Sequence, residues 1–334
     1  MSRPAAPKAH GTEAGGGGFP RITAPDGLVV LAAGTLCAEI APAAGGSVAS
    51  LFTPPRTAGA TRRVDWLRPA SVTGLKRRDP LAMGSFPLLP FCNCIRAGKA
   101  QFEGREILFL PNHPTVTSPH PLHGIGWQRI WSVTRAEATE ADLALRVLAS
   151  PAWPWRFSAT QRFTLTERGL AVAMTLTNED TAAMPAGIGH HPYFPHLPGT
   201  RLTAATQALW RADAEVMPIA LEAGDEVKRL REGVVLDQLD LDNNFTGWER
   251  VARIDWPADG IGAARRLELH AEAPLDYFVL YCPRGADHFC AEPVSQCTDW
   301  LNLMPLHGPA PLGGTRLEPG QSLTTRFTLE PGWA

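Results

Sequence analysis

The sequence predicts an all-β protein built as a large antiparallel β-sandwich. Short stretches in which apolar and polar residues alternate recur along the chain, and alternation at period two is typical of a half-buried strand. The 31 prolines and 31 glycines fall mostly between these stretches, where they favour turns. No stretch of the sequence has a clear helical period over more than three turns.

The clearest predicted strands lie in the middle of the chain. Residues 142–148 place Leu143, Leu145 and Val147 on one face at period two, and residues 157–165 and 170–176 repeat the pattern. Residues 167–169 end in a glycine and join the last two strands as a hairpin turn. These segments predict a run of neighbouring antiparallel strands.

The second half of the chain adds two further strands and one short helix. Residues 266–270 and 326–329 again alternate, whereas residues 222–231 have the pattern of a short helix. Many short strands separated by turn residues indicate a sandwich or barrel. We find no fixed-period repeat, which argues against a propeller.

Domain boundaries follow from composition. Residues 1–20 contain four consecutive glycines and scattered prolines that cannot pack a core, so we predict a disordered N-terminal tail. No change of composition marks a linker after it, and β domains can exceed 200 residues. We therefore expect residues 21–334 to form one domain.

Composition also limits the functional class. The chain has 31 basic and 33 acidic residues, with no long block of one sign, which gives no support for nucleic-acid binding. Six cysteines are too few for a disulfide framework. The sequence has no secretory apolar segment and no membrane-length apolar run. We expect a soluble, cytoplasmic protein with no membrane partner, and its oligomeric state stays open.

Metal and nucleotide sites are not predicted. Three pairs have spacings that suggest ligands: His120 with His123, His190 with His191, and Cys92 with Cys94. On a β-strand the members of each histidine pair point to opposite faces, and no second cysteine pair completes a zinc site. The glycine clusters match neither nucleotide-binding pattern. We therefore expect neither a metal nor a cofactor.

Six polar residues in apolar or tightly turned contexts are the candidates for chemistry. They are Asn93, Arg96, His123, His191, Asp242 and Glu292. Each one alone has a structural interpretation, since a histidine beside glycine is more often a satisfied structural residue than a catalyst. Together they fit a site gathered from many strands that performs acid–base chemistry without a cofactor.

At these residues the sequence resembles the aldose 1-epimerase (galactose mutarotase) family. The matching segments, in the order the family has them, are residues 44–51, residues 90–96, Leu122-His123-Gly124, His191-Pro192-Tyr193-Phe194, Leu241-Asp242 and Ala291-Glu292-Pro293. The resemblance covers nearly all of the chain beyond the tail.

The resemblance implies a β-sandwich with a monosaccharide cleft on one sheet. It also implies interconversion of the α and β anomers of a free aldose, with Glu292 as base and His191 as acid. His123 is expected to assist at the ring oxygen. We further expect the negative charge of Glu292 to raise the pKa of His191, so that an imidazolium persists near neutral pH.

Sugar binding is where the sequence departs from the family. By the resemblance, Asp242 accepts hydrogen bonds from sugar hydroxyls and Asn93 or Arg96 donates to others. The family usually has an arginine directly after the asparagine, but Cys94 occupies that position. If the segment is a strand, Arg96 points to the same face as Cys94, and we expect it to cover part of the missing role.

Two other functions remain open at this stage. One is an epimerase of the same fold that acts on hexose 6-phosphates, which would need a phosphate-binding cluster of arginine or lysine. The other is a sugar-binding homologue whose activity is weakened by Cys94. We expect His190 to serve packing, because neighbours on a strand face opposite ways.

Overall fold

The computed structural model describes residues 27–55, 63–114, 117–259 and 262–334. The predicted tail, residues 1–20, lies outside the described residues, as do residues 21–26 of the predicted domain.

The first half of the described chain contains fourteen strands and one helix. They are β1 Val29–Ala33, β2 Leu36–Ala41, β3 Ser47–Thr53, β4 Val64–Asp65, α1 Val72–Arg77, β5 Pro87–Leu88, β6 Lys99–Phe102, β7 Arg105–Leu108, β8 Ser132–Ala136, β9 Glu140–Val147, β10 Phe157–Leu165, β11 Leu170–Asn178, β12 Met184–Ala186, β13 Gly189–His190 and β14 Tyr193–Pro195.

The rest of the described chain adds eleven strands and two helices. They are β15 Arg201–Ala204, β16 Ala208–Ala212, β17 Pro218–Glu222, α2 Asp225–Glu232, β18 Val234–Val235, β19 Leu241–Thr246, β20 Val251–Trp256, β21 Arg265–Ala271, β22 Tyr277–Cys282, β23 His288–Val294, α3 Trp300–His307, β24 Thr315–Leu317 and β25 Ser322–Trp333.

Two large sheets form the body of the protein. One has nine strands in the order β18-β15-β20-β21-β25-β11-β10-β9-β8. The other has the order β17-β16-β19-β22-β23-β13-β5, with β14 also paired to β23. Every pairing within these sheets is antiparallel. The predicted all-β antiparallel sandwich is confirmed.

The predicted strands form for the reason the sequence indicates. Residues 142–148, 157–165 and 170–176 fall on β9, β10 and β11, and burial alternates along the first two. The turn at residues 167–169 joins β10 to β11. Alternate residues bury one face against the core, which stabilises the fold by about 1.5–3 kcal/mol for each large apolar side chain.

Strand β22 shows how one strand serves both the core and the open face of its sheet. Phe278 and Leu280 are fully buried in the main hydrophobic cluster. Val279 and Tyr281, which alternate with them, line the cleft described below. Because side chains along a strand alternate between faces, packing on one side of β22 holds the site residues in place on the other.

The helices are short and were only partly predicted. The helix expected at residues 222–231 is α2, at Asp225–Glu232. Helices α1 and α3 were not predicted: α1 has six residues, and α3 has eight with Pro305 inside it, so neither has a long apolar period. Within the described ranges, no helix has the length and apolar character needed to cross a bilayer.

Candidate active site

An open cleft of about 360 Å³ lies on the eight-stranded sheet. Its volume falls within the ~300–1,000 Å³ range of small-molecule sites. Strands β19, β22 and β23 contribute Asp242, Asn244, Val279, Tyr281 and Glu292 to its lining. Side chains from loops surround this floor, so the site is gathered from loops as well as from the strands that the sequence predicted.

Strand register places three of these floor residues in one row. Asn244 pairs with Val279, and Val279 pairs with Glu292 on the next strand. Directly paired residues share a face of the sheet, and neighbouring strands lie about 4.8 Å apart. The backbone positions of Asn244 and Glu292 are therefore about 10 Å apart, with the small side chain of Val279 between them.

His191 lies between two aromatic rings and in contact with Glu292. Its ring centroid is 4.7 Å from that of Phe86 and 4.6 Å from that of Tyr193, and both pairs are stacked. The backbone N–H of His191 donates to the carbonyl of Phe86 over 2.9 Å. The stack aims the imidazole edge at the carboxyl of Glu292, with 3.3 Å between Nε2 and Oε1.

The protonation of this pair differs from our expectation. Burial lowers the pKa of His191 well below its usual value, and His123 and Arg68 lower it further. Burial also raises the pKa of Glu292 well above its usual value, and the charge of Asp242 adds to this. The predicted rise in the pKa of His191 is therefore wrong, because desolvation outweighs the attraction of the carboxylate. Both shifts favour the uncharged forms, a carboxylic acid at Glu292 and a neutral imidazole at His191.

His123 is held as a neutral hydrogen-bond donor. It has φ +59° and precedes Gly124 at +71°, in a tight loop rather than on a strand. Its backbone N–H donates to the carbonyl of Asn93 over 2.7 Å, and its Nδ1 accepts from the backbone N–H of Asn93 over 3.1 Å. Burial lowers the pKa of His123 to about 3. Because Nδ1 accepts, Nε2 carries the hydrogen.

Asp242 lies on the floor of the cleft. Its side chain is open to the cleft, while the surrounding protein raises the pKa of its carboxyl to about 6. Above that pH the carboxylate is ionised and accepts hydrogen bonds only. This makes it suited to bind hydroxyl groups.

The structure separates the two predicted donors. Asn93 and Cys94 line the cleft, whereas Arg96 is not among the lining residues. The Arg96 guanidinium instead lies 3.4 Å from Asp213 and 3.6 Å from Asp299. The expectation that Arg96 shares the face of Cys94 is wrong, because the segment is not a strand: Asn93 has φ +54° and a 3₁₀ turn begins at Arg96.

Sequence reasoning missed Asn244 and Thr298, which also line the cleft. Asn244 follows Asp242 by two residues, so the period of β19 could have placed both on one face. Thr298 had no comparable signal, because it precedes a helix that was not predicted. Its backbone N–H and hydroxyl both donate to Oδ1 of Asn244, over 2.8 and 2.6 Å.

Among the described residues, one group of three side chains could contact a single metal ion. His191, Cys290 and Glu292 each offer one ligand atom, and these atoms lie within 4.8 Å of one another. His191 is distant in the chain from Cys290 and Glu292, so no sequence spacing indicates this group. His120 and His123, whose side chains were expected on opposite faces of a strand, do not lie on strands. A metal ion bound by this group would coordinate both His191 and Glu292, and neither would then be available for acid–base chemistry.

His190, the last residue of β13, points away from the cleft, toward the opposite sheet. It is fully buried, and its Nδ1 is hydrogen-bonded to Ser85. Its Nε2 lies 3.4 Å from Oε1 of Gln161, on β10 of the opposite sheet. Burial lowers the pKa of His190 to about 3, so this imidazole is a neutral link between the sheets.

Comparisons with known proteins agree with the fold. A family model described as aldose 1-epimerase matches residues 28–330. The chain is 29% identical over 259 residues to the uncharacterized protein YphB of Escherichia coli K12, which covers 74% of this chain and 83% of that protein.

Solved structures show the same architecture. A protein from Escherichia coli K12 that is provisionally assigned as an aldose 1-epimerase is similar with a TM-score of 0.78 and 25% identity, over 92% of this chain and 99% of that chain. A galactose mutarotase-like protein from Clostridium acetobutylicum is similar with a TM-score of 0.76 and 19% identity, over 92% of this chain and 95% of that chain. The second likeness concerns the fold alone.

Proposed function

This chain belongs to the aldose 1-epimerase family, and we propose that it interconverts the α and β anomers of a free, uncharged aldose. The observation that carries the proposal is the contact of 3.3 Å between His191 Nε2 and Glu292 Oε1 at the floor of the cleft. A reaction that moves one proton off a sugar hydroxyl and another onto the ring oxygen needs one base and one acid close together.

The pair supplies both from a single proton. In its resting form Glu292 is a carboxylic acid and His191 is neutral. Transfer of that proton across the contact gives a carboxylate and an imidazolium, with no change in net charge. Desolvation disfavours each charged group alone. It disfavours the ion pair less, because the two opposite charges lie in contact and their net charge is zero.

Ring opening then proceeds with balanced proton transfers. The Glu292 carboxylate removes the proton of the anomeric hydroxyl while the His191 imidazolium protonates the ring oxygen, and the bond between the anomeric carbon and the ring oxygen breaks. The open-chain aldehyde turns about its first carbon–carbon bond. Closure runs with the roles reversed: His191 takes the hydroxyl proton, and Glu292 returns its proton to the carbonyl oxygen.

His123 supports the same step as a fixed donor. Its Nε2 hydrogen is set by the contact of Nδ1 with Asn93, and its ring centroid is 5.1 Å from that of His191. A neutral N–H held in place costs no reorganisation when charge changes on the sugar oxygen. We assign it to orienting the ring oxygen.

The lining of the cleft favours an uncharged sugar. Neither lysine nor arginine is among the described residues that line it, while Asp242, Glu215 and Glu292 are. A phosphate group is recognised by such cations, above all by arginine. The alternative substrate, a hexose 6-phosphate, therefore lacks the contacts it needs in this cleft.

The proposal is tested by polarimetry with freshly dissolved α-D-galactose and α-D-glucose. Glu292→Gln removes the base and keeps the shape of the side chain, so we expect turnover to fall by roughly 10³-fold. Calorimetry should show that the variant still binds the sugar. Glu215→Gln, the same change at the rim of the cleft, serves as the matched control.

Two results would contradict the proposal. Near-normal mutarotation by Glu292→Gln would remove this residue from the mechanism. A wild-type protein that binds the sugars without accelerating mutarotation would instead support the sugar-binding alternative.

A further inference from the structure

The side-chain amide nitrogen of Asn244 is a hydrogen-bond donor, and no group among the described residues accepts from it. The residue is 5% exposed and lines the cleft, and its Nδ2 is buried without a hydrogen-bond partner. Buried polar groups are nearly always paired, and one without a partner is costly. A free donor in a ligand cleft therefore indicates an oxygen that arrives with the ligand.

The orientation of this amide follows from its neighbours. The atom that faces Thr298 lies 2.8 Å from its backbone nitrogen and 2.6 Å from its hydroxyl oxygen. A backbone N–H can only donate, so the amide atom facing it must be the oxygen. Asn93 Nδ2 lies 3.5 Å from the same oxygen. The free group is consequently the nitrogen.

The distance from Glu292 restricts which part of a sugar meets this donor. Asn244 and Glu292 end one row across three strands, with Val279 between them, and their backbones are about 10 Å apart. Hydrogen bonds of about 2.8 Å at both ends of the row leave room for a single sugar ring. With the anomeric hydroxyl at Glu292, the far end of that ring reaches Asn244.

We propose that Asn244 Nδ2 donates a hydrogen bond to a hydroxyl on the third or fourth ring carbon of the aldose, and so determines which sugars the cleft accepts. The position of the anomeric carbon in this inference rests on the proposed function. Asp242 lies two residues earlier on β19 and also lines the cleft. One strand thus presents an acceptor and a donor, the two groups that a hydroxyl needs.

The variant Asn244→Asp isolates the donor. It keeps an oxygen that Thr298 can donate to, and it replaces the free N–H₂ group with an oxygen that cannot donate when ionised. Asn243→Asp is the matched control. Asn243 also lines the cleft, so this variant adds the same charge there, but the amide of Asn243 already donates to the carbonyl of Trp210 over 2.8 Å.

The experiment combines these variants with D-glucose, D-galactose and their 2-, 3- and 4-deoxy analogues. All these sugars are neutral, so the effect of the added charge cancels when each deoxy sugar is compared with its parent. For the parent sugars we expect Asn244→Asp to lower kcat/KM by about 10- to 100-fold. For one deoxy sugar, the 3- or the 4-deoxy form, we expect the fall in kcat/KM from wild type to variant to be about tenfold smaller than the fall for its parent. Asn243→Asp should show no loss that depends on one hydroxyl.

Two outcomes would overturn the inference. If Asn244→Asp lowers kcat/KM for every deoxy sugar by the same factor as for its parent, Asn244 has only a structural role. If the 2-deoxy sugar is the insensitive one, the placement at the far end of the ring is wrong.

Calorimetric binding of the same sugars separates this inference from the proposed function. A wild-type protein that binds but does not accelerate mutarotation contradicts the function, while the dissociation constants still decide whether Asn244 meets one hydroxyl. A wild-type protein that binds none of these sugars contradicts both.

Discussion

At the scale of single residues, the site depends on groups that burial keeps neutral. Glu292 is a carboxyl group whose pKa is raised, and His191 is an imidazole whose pKa is lowered. Each shift opposes the form that the reaction needs, and contact between the two groups resolves the conflict, because one proton moving between them produces acid and base together. Without this contact, burial would favour the protonated form of Glu292 and the neutral form of His191, and neither group could act as the base or the acid.

The pH dependence of turnover follows from these shifts. The lowered pKa of His191 opposes a second proton on the pair, so kcat should persist from pH 7 down to pH 5, below the usual histidine pKa of about 6.5. Asp242 titrates at about pH 6, and its protonation removes an acceptor for the sugar. We therefore expect kcat/KM to fall below pH 6 while kcat does not.

Polarimetric rates between pH 5 and 8, corrected for the uncatalysed reaction, test whether kcat/KM falls while kcat does not. In Asp242→Asn the fall of kcat/KM near pH 6 should be absent. A fall of kcat itself near pH 6.5 would show that His191 titrates as an ordinary histidine and would contradict its neutral resting state.

At the scale of elements, four side chains form a stack that holds His191, the proposed acid. Phe86, His191 and Tyr193 lie ring on ring, and the guanidinium carbon of Arg68 is 3.7 Å from the Tyr193 ring centroid. Arg68 is held by hydrogen bonds to the carbonyls of Leu81 and Met83, over 2.5 and 2.9 Å. The short segment between β13 and β14 that carries His191 is thereby fixed from outside the sheet.

Arg68 is consequently expected to act on His191 as a positioning residue. Arg68→Met removes a cation–π contact of about 0.5–2 kcal/mol and a positive charge that lowers the pKa of His191. We expect kcat to fall by up to about tenfold and its acid limb to move to higher pH. The pH profile of kcat checks both effects.

Arg68→Lys is the matched control, because it keeps the charge but loses the planar group that stacks. Its acid limb should stay near that of the wild type while kcat falls. An unchanged acid limb in Arg68→Met would show that the guanidinium charge does not reach the imidazole.

The alternation of apolar and polar residues along the chain predicted the strands better than it predicted the positions of the site residues. Residues 157–165 form a strand because period two buries one face, and that information is local. The position of Arg96 was mispredicted, because the left-handed backbone at Asn93 ends the strand pattern that the argument assumed. The free donor of Asn244 could not be predicted, since it depends on Thr298, 54 residues away in sequence.

At the scale of the whole molecule, the sandwich holds three histidines as neutral groups within its interior. His123, His190 and His191 all have lowered pKa values, with burial as the largest cause. In the unfolded chain each would bind a proton below about pH 6.5. Their folded pKa values are depressed, so their contribution to stability is present above pH 6.5 and is lost as the pH falls toward 3. Acid should therefore unfold this protein through its histidines as well as its carboxylates.

His190 allows this to be measured without touching the proposed chemistry. It costs the wild type up to about 1.4 kcal/mol of unfolding free energy for each pH unit between 6.5 and its folded pKa, which is about 3. His190→Asn keeps a polar atom near Ser85 and should be less stable at pH 7, because it leaves a cavity and loses the contact with Gln161. The variant lacks the one proton that His190 takes up on unfolding. Its unfolding free energy should therefore fall less steeply as the pH is lowered, by up to about 1.4 kcal/mol for each pH unit.

Urea unfolding at a series of pH values from 7 to 4 gives this slope for both proteins. The raised pKa values of Glu292 and Asp242 act in the opposite direction, but they are common to both proteins and cancel in the difference. The stability gap between wild type and His190→Asn should therefore narrow as the pH falls. Two parallel curves would mean that His190 takes up a proton at the same pH in the folded protein as in the unfolded chain, and would contradict its neutral state.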